Sequence, residues 1–283
     1  MVMKRDIRGE LSGVIPDYLL PLVSRSFDVI GSKGRAVAVI EIPEELEPYG
    51  LQIGEALMRV QRSVQSVLSK GTERRGEFRV RDMVLLAGDP NTEVLHKESG
   101  CVFKVNPRKA YFSPRESTER EKISKKITPG EDVLVMFSGV GPFAICIAKR
   151  QPESRCVAVE LNPDGHAYCL ENIRLNKVAG RVKAIQGDVR VVCPTLCETF
   201  DRVLMPLPKG AFEFLDVAIP MVKPGGTLHF YHWASRDDPF SEGERILAEA
   251  VDVFGRRMDV LESIRVSQYS PSAWKIRIDA KIL

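Results

Sequence analysis

Nothing in this chain reads as a membrane anchor, a disulfide scaffold or a metal site. No apolar stretch nears the ~20 residues that span a bilayer, and the opening MVMKRDIRGELSG lacks the hydrophobic block of a secretory leader. The six cysteines (Cys101, Cys146, Cys156, Cys169, Cys193 and Cys197) contain no CxxC pair, and the four histidines form no ligand spacing. Their thiols are expected to stay reduced, packed in the core or at its edge. Internal repeats and low-complexity segments are absent too. What remains is a globular protein, expected to be a cytoplasmic monomer with no membrane partner and no metal.

An excess of one charge is also missing from the whole chain, whose net charge is only +3. Its distribution is uneven. Residues 51–126 hold sixteen Lys and Arg against ten Asp and Glu, a local excess of six. A basic stretch of this kind can hold phosphates or be an ordinary solvated surface.

At 283 residues the chain has room for one large domain or two ordinary ones, and its patterning changes near residue 110. Before that point, RAVAVIEI (35–42) reads as a strand closed by Pro43. YGLQIGEALMRVQRSVQSVLSK has helical spacing, and EFRVRDMVLLAG and CVFKVNPRKAYF read as further strands. After residue 117 strand and helix alternate: helix STEREKISKKI, strand DVLVMF, a glycine turn, helix PFAICIAKR, strand RCVAVEL, helix PDGHAYCLENIRLNKV and strand VKAIQGD. FDRVLMPLP, a helix over GAFEFLDVAIPMV, the turn KPGG and strand TLHFYHW continue the order, and the chain ends in two strands with a short loop between them. Alternation implies a mostly parallel sheet covered on both faces, with ligands at the carboxyl ends of its strands. The expected division is an α+β domain over 1–110 and an α/β domain over 111–283.

Between strand and helix, FSGVGPF places Gly139, Gly141 and Ala144 as G-x-G-x-x-A, a string that several nucleotides could satisfy. Glu160 ends the next strand, where an acid can accept from both hydroxyls of a ribose, as NAD and S-adenosylmethionine both require. Asp188 ends the third strand, placed to meet an adenine amino group, and LMPLP ends the fourth in a rigid loop. With the terminal strand pair, these features favour S-adenosylmethionine and a class I methyltransferase sheet of seven strands. Each acid alone could also be a strand-end acid capping a helix.

Four strings in order, RGEFRVRDMVLLAG (75–88), TEVLHKESGCVFKV (92–105), YFSPRESTER (111–120) and MFSGVGPFAICIAK (136–149), resemble the archaeal and eukaryotic tRNA (guanine-37-N1)-methyltransferases. The likeness runs through ENIRLNKV and DRVLMPLP to YSPSAWKIRIDAKI, over about residues 26–283. It implies a basic domain followed by a Rossmann-like class I methyltransferase domain that converts guanine 37, beside the anticodon, to 1-methylguanine. It further implies Glu119 as general base and Arg79 as the cation that fixes the guanine, with Tyr111 near the methionine end of the cofactor. The cofactor-contact candidates are then Tyr111, Arg120, Phe137, Gly139, Val140, Gly141, Glu160, Leu161, Asp188, Val189, Pro206 and Pro208. Tyr111 or Phe112 could stack on a flipped base. Lys70, Arg74, Arg75, Lys104, Arg108 and Lys109 are candidates for phosphate contact with the anticodon stem-loop.

The chain departs from the family's pattern in two places. Val135 stands where an acid usually ends the first strand, and Pro206-Leu207-Pro208 replaces NLP, removing a side-chain amide. Many members also carry a further small N-terminal domain; with about 25 residues before the matching region, tRNA binding is expected to rest on the anticodon arm and to depend strongly on salt. Three other readings stay open: the related aminocarboxypropyl transferase of wybutosine synthesis, a non-catalytic tRNA-binding relative, and an NAD-dependent oxidoreductase.

Overall fold

The computed structural model describes residues 6–32, 34–74, 81–207, 209–270 and 272–283. The chain forms two units, Met1–Ser117 and Thr118–Leu283.

In the first unit, α1 (Ile7–Leu11) and a 3-10 turn (Asp17–Leu22) precede the hairpin β1 (Phe27–Ser32) and β2 (Arg35–Ile40). Helix α2 (Gly50–Val60) crosses over to β3 (Val64–Arg74), which runs parallel to β2, and β4 (Arg81–Gly88) closes the sheet in the order β1-β2-β3-β4. The helical spacing predicted for YGLQIGEALMRVQRSVQSVLSK therefore holds only to Val60. From Val64 the backbone is extended, and Val67 and Leu68 are buried. Residues 7–23, left outside the predicted domain match, supply its core: Ile7, Leu11, Ile15, Leu19 and Val23 pack with Ala36, Ala38, Ile53 and Leu57. Each large apolar side chain so buried contributes about 1.5–3 kcal/mol. A second hairpin, β5 (Val94–Glu98) with β6 (Cys101–Val105), completes this unit.

The second unit is a seven-stranded sheet. Helix α3 (Ser117–Lys126) leads into β7 (Asp132–Val135), α4 (Pro142–Arg150), β8 (Arg155–Glu160), α5 (Pro163–Leu175), β9 (Val182–Gln186), α6 (Val189–Thr195) and β10 (Phe200–Met205). The helix predicted over GAFEFLDVAIPMV is instead a single turn, α7 (Leu215–Ala218), between two 3-10 turns, because Pro220 lacks the N–H that a continuing helix needs. Strand β11 (Val222–Ser235), helix α8 (Ser241–Val253), β12 (Met258–Ser270) and β13 (Ala273–Ile282) finish the unit, in the order β12-β13-β11-β10-β7-β8-β9. Only the pairs made by β13 are antiparallel. That parallel core with an antiparallel terminal pair is the class I methyltransferase arrangement expected from the sequence.

The central strands β11 and β13 have two unlike faces. Leu228, Phe230, Ile276, Ile278 and Ala280 join Leu247 and Val251 of α8 in the apolar core. His229, Tyr231, Lys275, Arg277 and Asp279 alternate with them, and all five are buried. Burying charge is costly unless it is paired, so this second face must carry its own polar network.

Candidate active site

The glycine turn leaves the carboxyl end of β7 under tight backbone control. Met136 N–H donates to the Leu204 carbonyl (2.9 Å) and Ser138 N–H to the Val159 carbonyl (2.9 Å), tying the turn to both neighbouring strands. Phe137, Gly139 and Gly141 adopt positive φ angles of 55°, 56° and 85°. Gly141 is required twice over, since a Cβ there would lie 2.6 Å from Cys169 Sγ. Pro142 then opens α4, where its missing N–H costs nothing. Val140 is buried, and its carbonyl accepts from Nδ2 of the buried Asn172 on α5 (3.0 Å). The sequence reading missed Asn172, which sits in ENIRLNKV with nothing in its spacing to distinguish it.

Glu160 faces this turn. Its Oε2 accepts from Gly139 N–H (2.6 Å) and its Oε1 from Asn162 N–H (2.8 Å). Burial pushes its carboxyl above the ordinary value, against the opposing pull of the Asn162 and Gly139 amides. Gly187 N–H donates to the Glu160 carbonyl (2.9 Å), bringing Asp188 alongside. Asp188 caps α6 through Arg190 N–H (2.8 Å). Leu161 follows Glu160 directly, Val189 is buried in the core, and Phe137 packs edge-on against Phe214 with ring centroids 4.9 Å apart. Pro206 and Leu207 leave β10 beside the turn, Leu207 N–H closing back on the Met205 carbonyl (2.7 Å). Ser138 Oγ is buried within this cradle without a hydrogen-bond partner among the described residues. A buried hydroxyl left without any partner costs about 1–3 kcal/mol, so a ligand group that meets it is favoured.

Val135 is fully buried in β7, between Ala158 and Leu204 in register, so an acid at this position would meet strand neighbours on both sides. Arg79 and Pro208 lie outside the described residues. Tyr111, in the first unit, is half exposed, whereas Phe112 is buried against His96 and Phe103. Phe112 is thus a core residue, and Tyr111 is the exposed ring of the pair.

Glu119, in the first turn of α3, is 4% exposed. Its Oε1 accepts from Tyr231 Oη (2.7 Å) and from one terminal nitrogen of Arg277, while Oε2 carries no hydrogen bond from a described residue. Arg277 itself is fully buried, its Nε donating to Asp279 Oδ1 (2.7 Å) and its other terminal nitrogen to Glu262 Oε2 (2.8 Å). His229 Nδ1 lies 2.6 Å from Asp279 Oδ1, and Arg202 approaches His229 Nε2 at 3.3 Å. Because a guanidinium can only donate, Nε2 must accept, so His229 is neutral with its proton on Nδ1. Burial lowers its proton affinity in the same direction. Burial alone would raise the Asp279 carboxyl, but the His229 ring and the Arg277 guanidinium outweigh it and hold it well below the usual carboxylate range. Tyr231 is pushed far above its ordinary value by burial and by the Glu119 carboxylate, so it remains a donor. Arg120 is buried next to Glu119 on α3. Phe143, two residues past Gly141, packs against Tyr231 with ring centroids 6.2 Å apart, joining this cluster to the helix that the glycine turn starts.

A family model described as the TRM5/TYW2 methyltransferase domain matches residues 94–258, and one described as the TYW2 N-terminal domain matches residues 7–92. The chain belongs to the TRM5/TYW2 methyltransferase family. The family match begins at residue 7 rather than near 26, in accord with the packing of Ile7–Val23. Trm5b of Pyrococcus abyssi, a tRNA (guanine(37)-N(1))-methyltransferase, is 38% identical over 268 residues, 95% of this chain and 78% of that protein. The tRNA(Phe) (4-demethylwyosine(37)-C(7)) aminocarboxypropyltransferase of Pyrococcus horikoshii is 31% identical over 284 residues, 99% of this chain and 97% of that one. Among solved structures, the complex of aTrm5 and tRNALeu superposes with a TM-score of 0.86 at 33% identity, covering 100% of this chain and 80% of the other.

A groove of about 480 Å³ lined by Arg155, Arg174, Lys183 and Phe200 lies at the amino ends of β7, β8 and β9, away from the end where parallel sheets bind ligands. Among the described residues, no His, Cys, Asp or Glu group is arranged to hold a metal ion, and no helix is long and apolar enough to cross a membrane.

Proposed function

We propose that this chain is a tRNA (guanine-37-N1)-methyltransferase in which Glu119 takes the N1 proton of the target base. The observation that carries the reading is the Glu119 carboxylate, pinned through Oε1 by Arg277 and Tyr231, with no described residue hydrogen-bonded to Oε2. Guanine N1 is protonated at neutral pH and its lone pair is delocalised, so the proton must leave as the nitrogen forms its new bond. A positioned carboxylate is typically worth ~10²- to 10⁴-fold in such a step. When bound, S-adenosylmethionine supplies the electrophilic methyl group on a positively charged sulfur. The cradle suits it: Ser138 Oγ has no partner among the described residues, and in this reading Glu160, beside the glycine turn, takes the ribose hydroxyls and Asp188, at the start of α6, the adenine amino group. Phe137, Gly139, Val140, Gly141, Leu161, Val189 and Pro206 form the walls in this reading, with Arg120, Tyr111 and Pro208 as further contacts.

Arg79, the cation that the family likeness assigns to the guanine, would stabilise the negative charge that builds on O6 as N1 loses its proton. The N-terminal domain would contact the anticodon stem-loop, with Arg74, Arg75, Arg108 and Lys109 as phosphate contacts; Arg108 and Lys109 are exposed. Lys70 and Lys104 already pair with Asp28 (3.4 Å) and Glu93 (2.9 Å), so they are weaker candidates. The assignment extends to a cytoplasmic monomer.

Gly141→Ala should weaken S-adenosylmethionine binding at least tenfold and destabilise the fold by about 1–3 kcal/mol, because a side chain is strained at that φ and meets Cys169. Calorimetry measures it; an undiminished heat would remove the turn from the cofactor site.

Aminocarboxypropyl transfer is the second reading, favoured by the TYW2 N-terminal match over residues 7–92. Cofactor labelled separately in the methyl group and in the carboxypropyl carbons distinguishes the two. Methyl label is expected in tRNA; label only from the carboxypropyl carbons would overturn the assignment.

A further inference from the structure

The polar face of β11 and β13 has an organisation that folding alone does not require. The opposite face of the same strands is filled by Leu228, Phe230, Ile276 and Ile278, and apolar residues generally stabilise such positions at least as well as buried ion pairs. Yet the face toward α3 carries Arg277, Asp279, His229, Tyr231 and Lys275, all 2% exposed or less. The three donor directions of Arg277 go to three different acids: Nε to Asp279, one terminal nitrogen to Glu262 and the other to Glu119. Asp279 is held in turn by His229, and Lys126 approaches both Glu262 (2.9 Å) and Asp279 Oδ2 (3.3 Å). Two acids therefore fix the guanidinium, and its remaining edge meets the third. Tyr231 stands directly opposite Arg277 in the strand register and reaches the same Glu119 oxygen.

We infer that Arg277 and Tyr231 are positioning residues for the base: they hold Glu119 by one oxygen so that the other is presented for proton transfer. This deepens the reading of Glu119 as general base and rests on it. Asp279 and Glu262 act one step further out, by orienting Arg277, so the motif KIRID near the chain's end is the support on which the carboxylate sits. Such support fixes a reacting group to within a fraction of an ångström, the tolerance catalysis demands.

Single-turnover methylation of a tRNA transcript, measured for Glu119→Gln, Tyr231→Phe, Arg277→Lys and each of the latter two combined with Glu119→Gln, tests the inference. Tyr231→Phe and Arg277→Lys should each lower the chemical rate about tenfold, with the KM values for cofactor and tRNA unchanged. In the Glu119→Gln background neither should cost anything more, because both act through the carboxylate. Losses that multiply in the double variants, or single variants as fast as the wild type, would overturn the inference while leaving Glu119 as base. A Glu119→Gln enzyme of full rate would instead overturn the reading beneath it. Tyr231→Phe keeps the shape and removes no charge, so it decides the matter should Arg277→Lys fail to fold.

Discussion

Replacing Glu119 by Gln should slow methyl transfer by about 10²- to 10⁴-fold while leaving cofactor and tRNA affinity within twofold of wild type. The amide keeps the shape of the side chain and an oxygen for Tyr231, but it cannot take a proton from guanine N1. Glutamine is the better replacement because Glu119→Ala would also strand Arg277, whose guanidinium is fully buried and takes Glu119 as one of three acidic partners. A rate defect confined to the chemical step identifies the base. Turnover equal to wild type would reject it, whatever the cofactor pocket does.

Asp279→Asn should be the most destabilising conservative change in the second unit, costing about 3–5 kcal/mol, the usual penalty for leaving a buried charge without its partner. Asp279 is 2% exposed and receives both His229 and Arg277. Against a total stability of about 5–15 kcal/mol for a typical domain, a loss of that size is a large fraction. The same groups set the response to acid. The His229 ring has a lowered proton affinity in the fold, so as the pH falls below about 6.5 the unfolded chain takes up a proton first and stability declines. The Asp279 carboxyl is also held low; its contribution is complete above about pH 4 and is lost as the pH drops toward the folded value. Wild-type protein should therefore weaken in two stages on acidification, and Asp279→Asn should flatten the second. Urea unfolding at pH 7, 5.5, 4 and 2.5 measures both. A variant as stable as wild type at pH 7 would show that the network contributes nothing to the fold.

The sheet of the second unit was legible in the sequence because its strands are short apolar runs, DVLVMF and RCVAVEL among them, each followed by a recognisable turn. FSGVGPF announced the cradle by its glycines, and Glu160 by its distance from them. Other parts were hidden for identifiable reasons. VQSVLSK continues the helical spacing of α2 yet pairs with β2 as a strand, the case in which sheet pairing overrides local propensity. Ile7, Leu11, Ile15, Leu19 and Val23 are spread through α1, a 3-10 turn and irregular chain, and no single period reveals a core contribution made that way. The sequence WKIRIDAKI alternates charged with apolar residues, which ordinarily marks a strand with one face in water. Here the charged face is covered, and Lys275, Arg277 and Asp279 are each buried. Glu119 was identifiable only through TER and the family likeness; its hold by Tyr231 and Arg277, 112 and 158 residues away, is a property of the fold.

This chain is expected to place one methyl group on N1 of guanine 37. Unmodified tRNA transcripts incubated with the protein and S-adenosylmethionine, then digested and mapped by nucleoside mass, address it directly. The result expected is 1-methylguanosine at position 37 and none when that guanine is replaced; a modification elsewhere, or none at all from a protein that binds its cofactor, would contradict it.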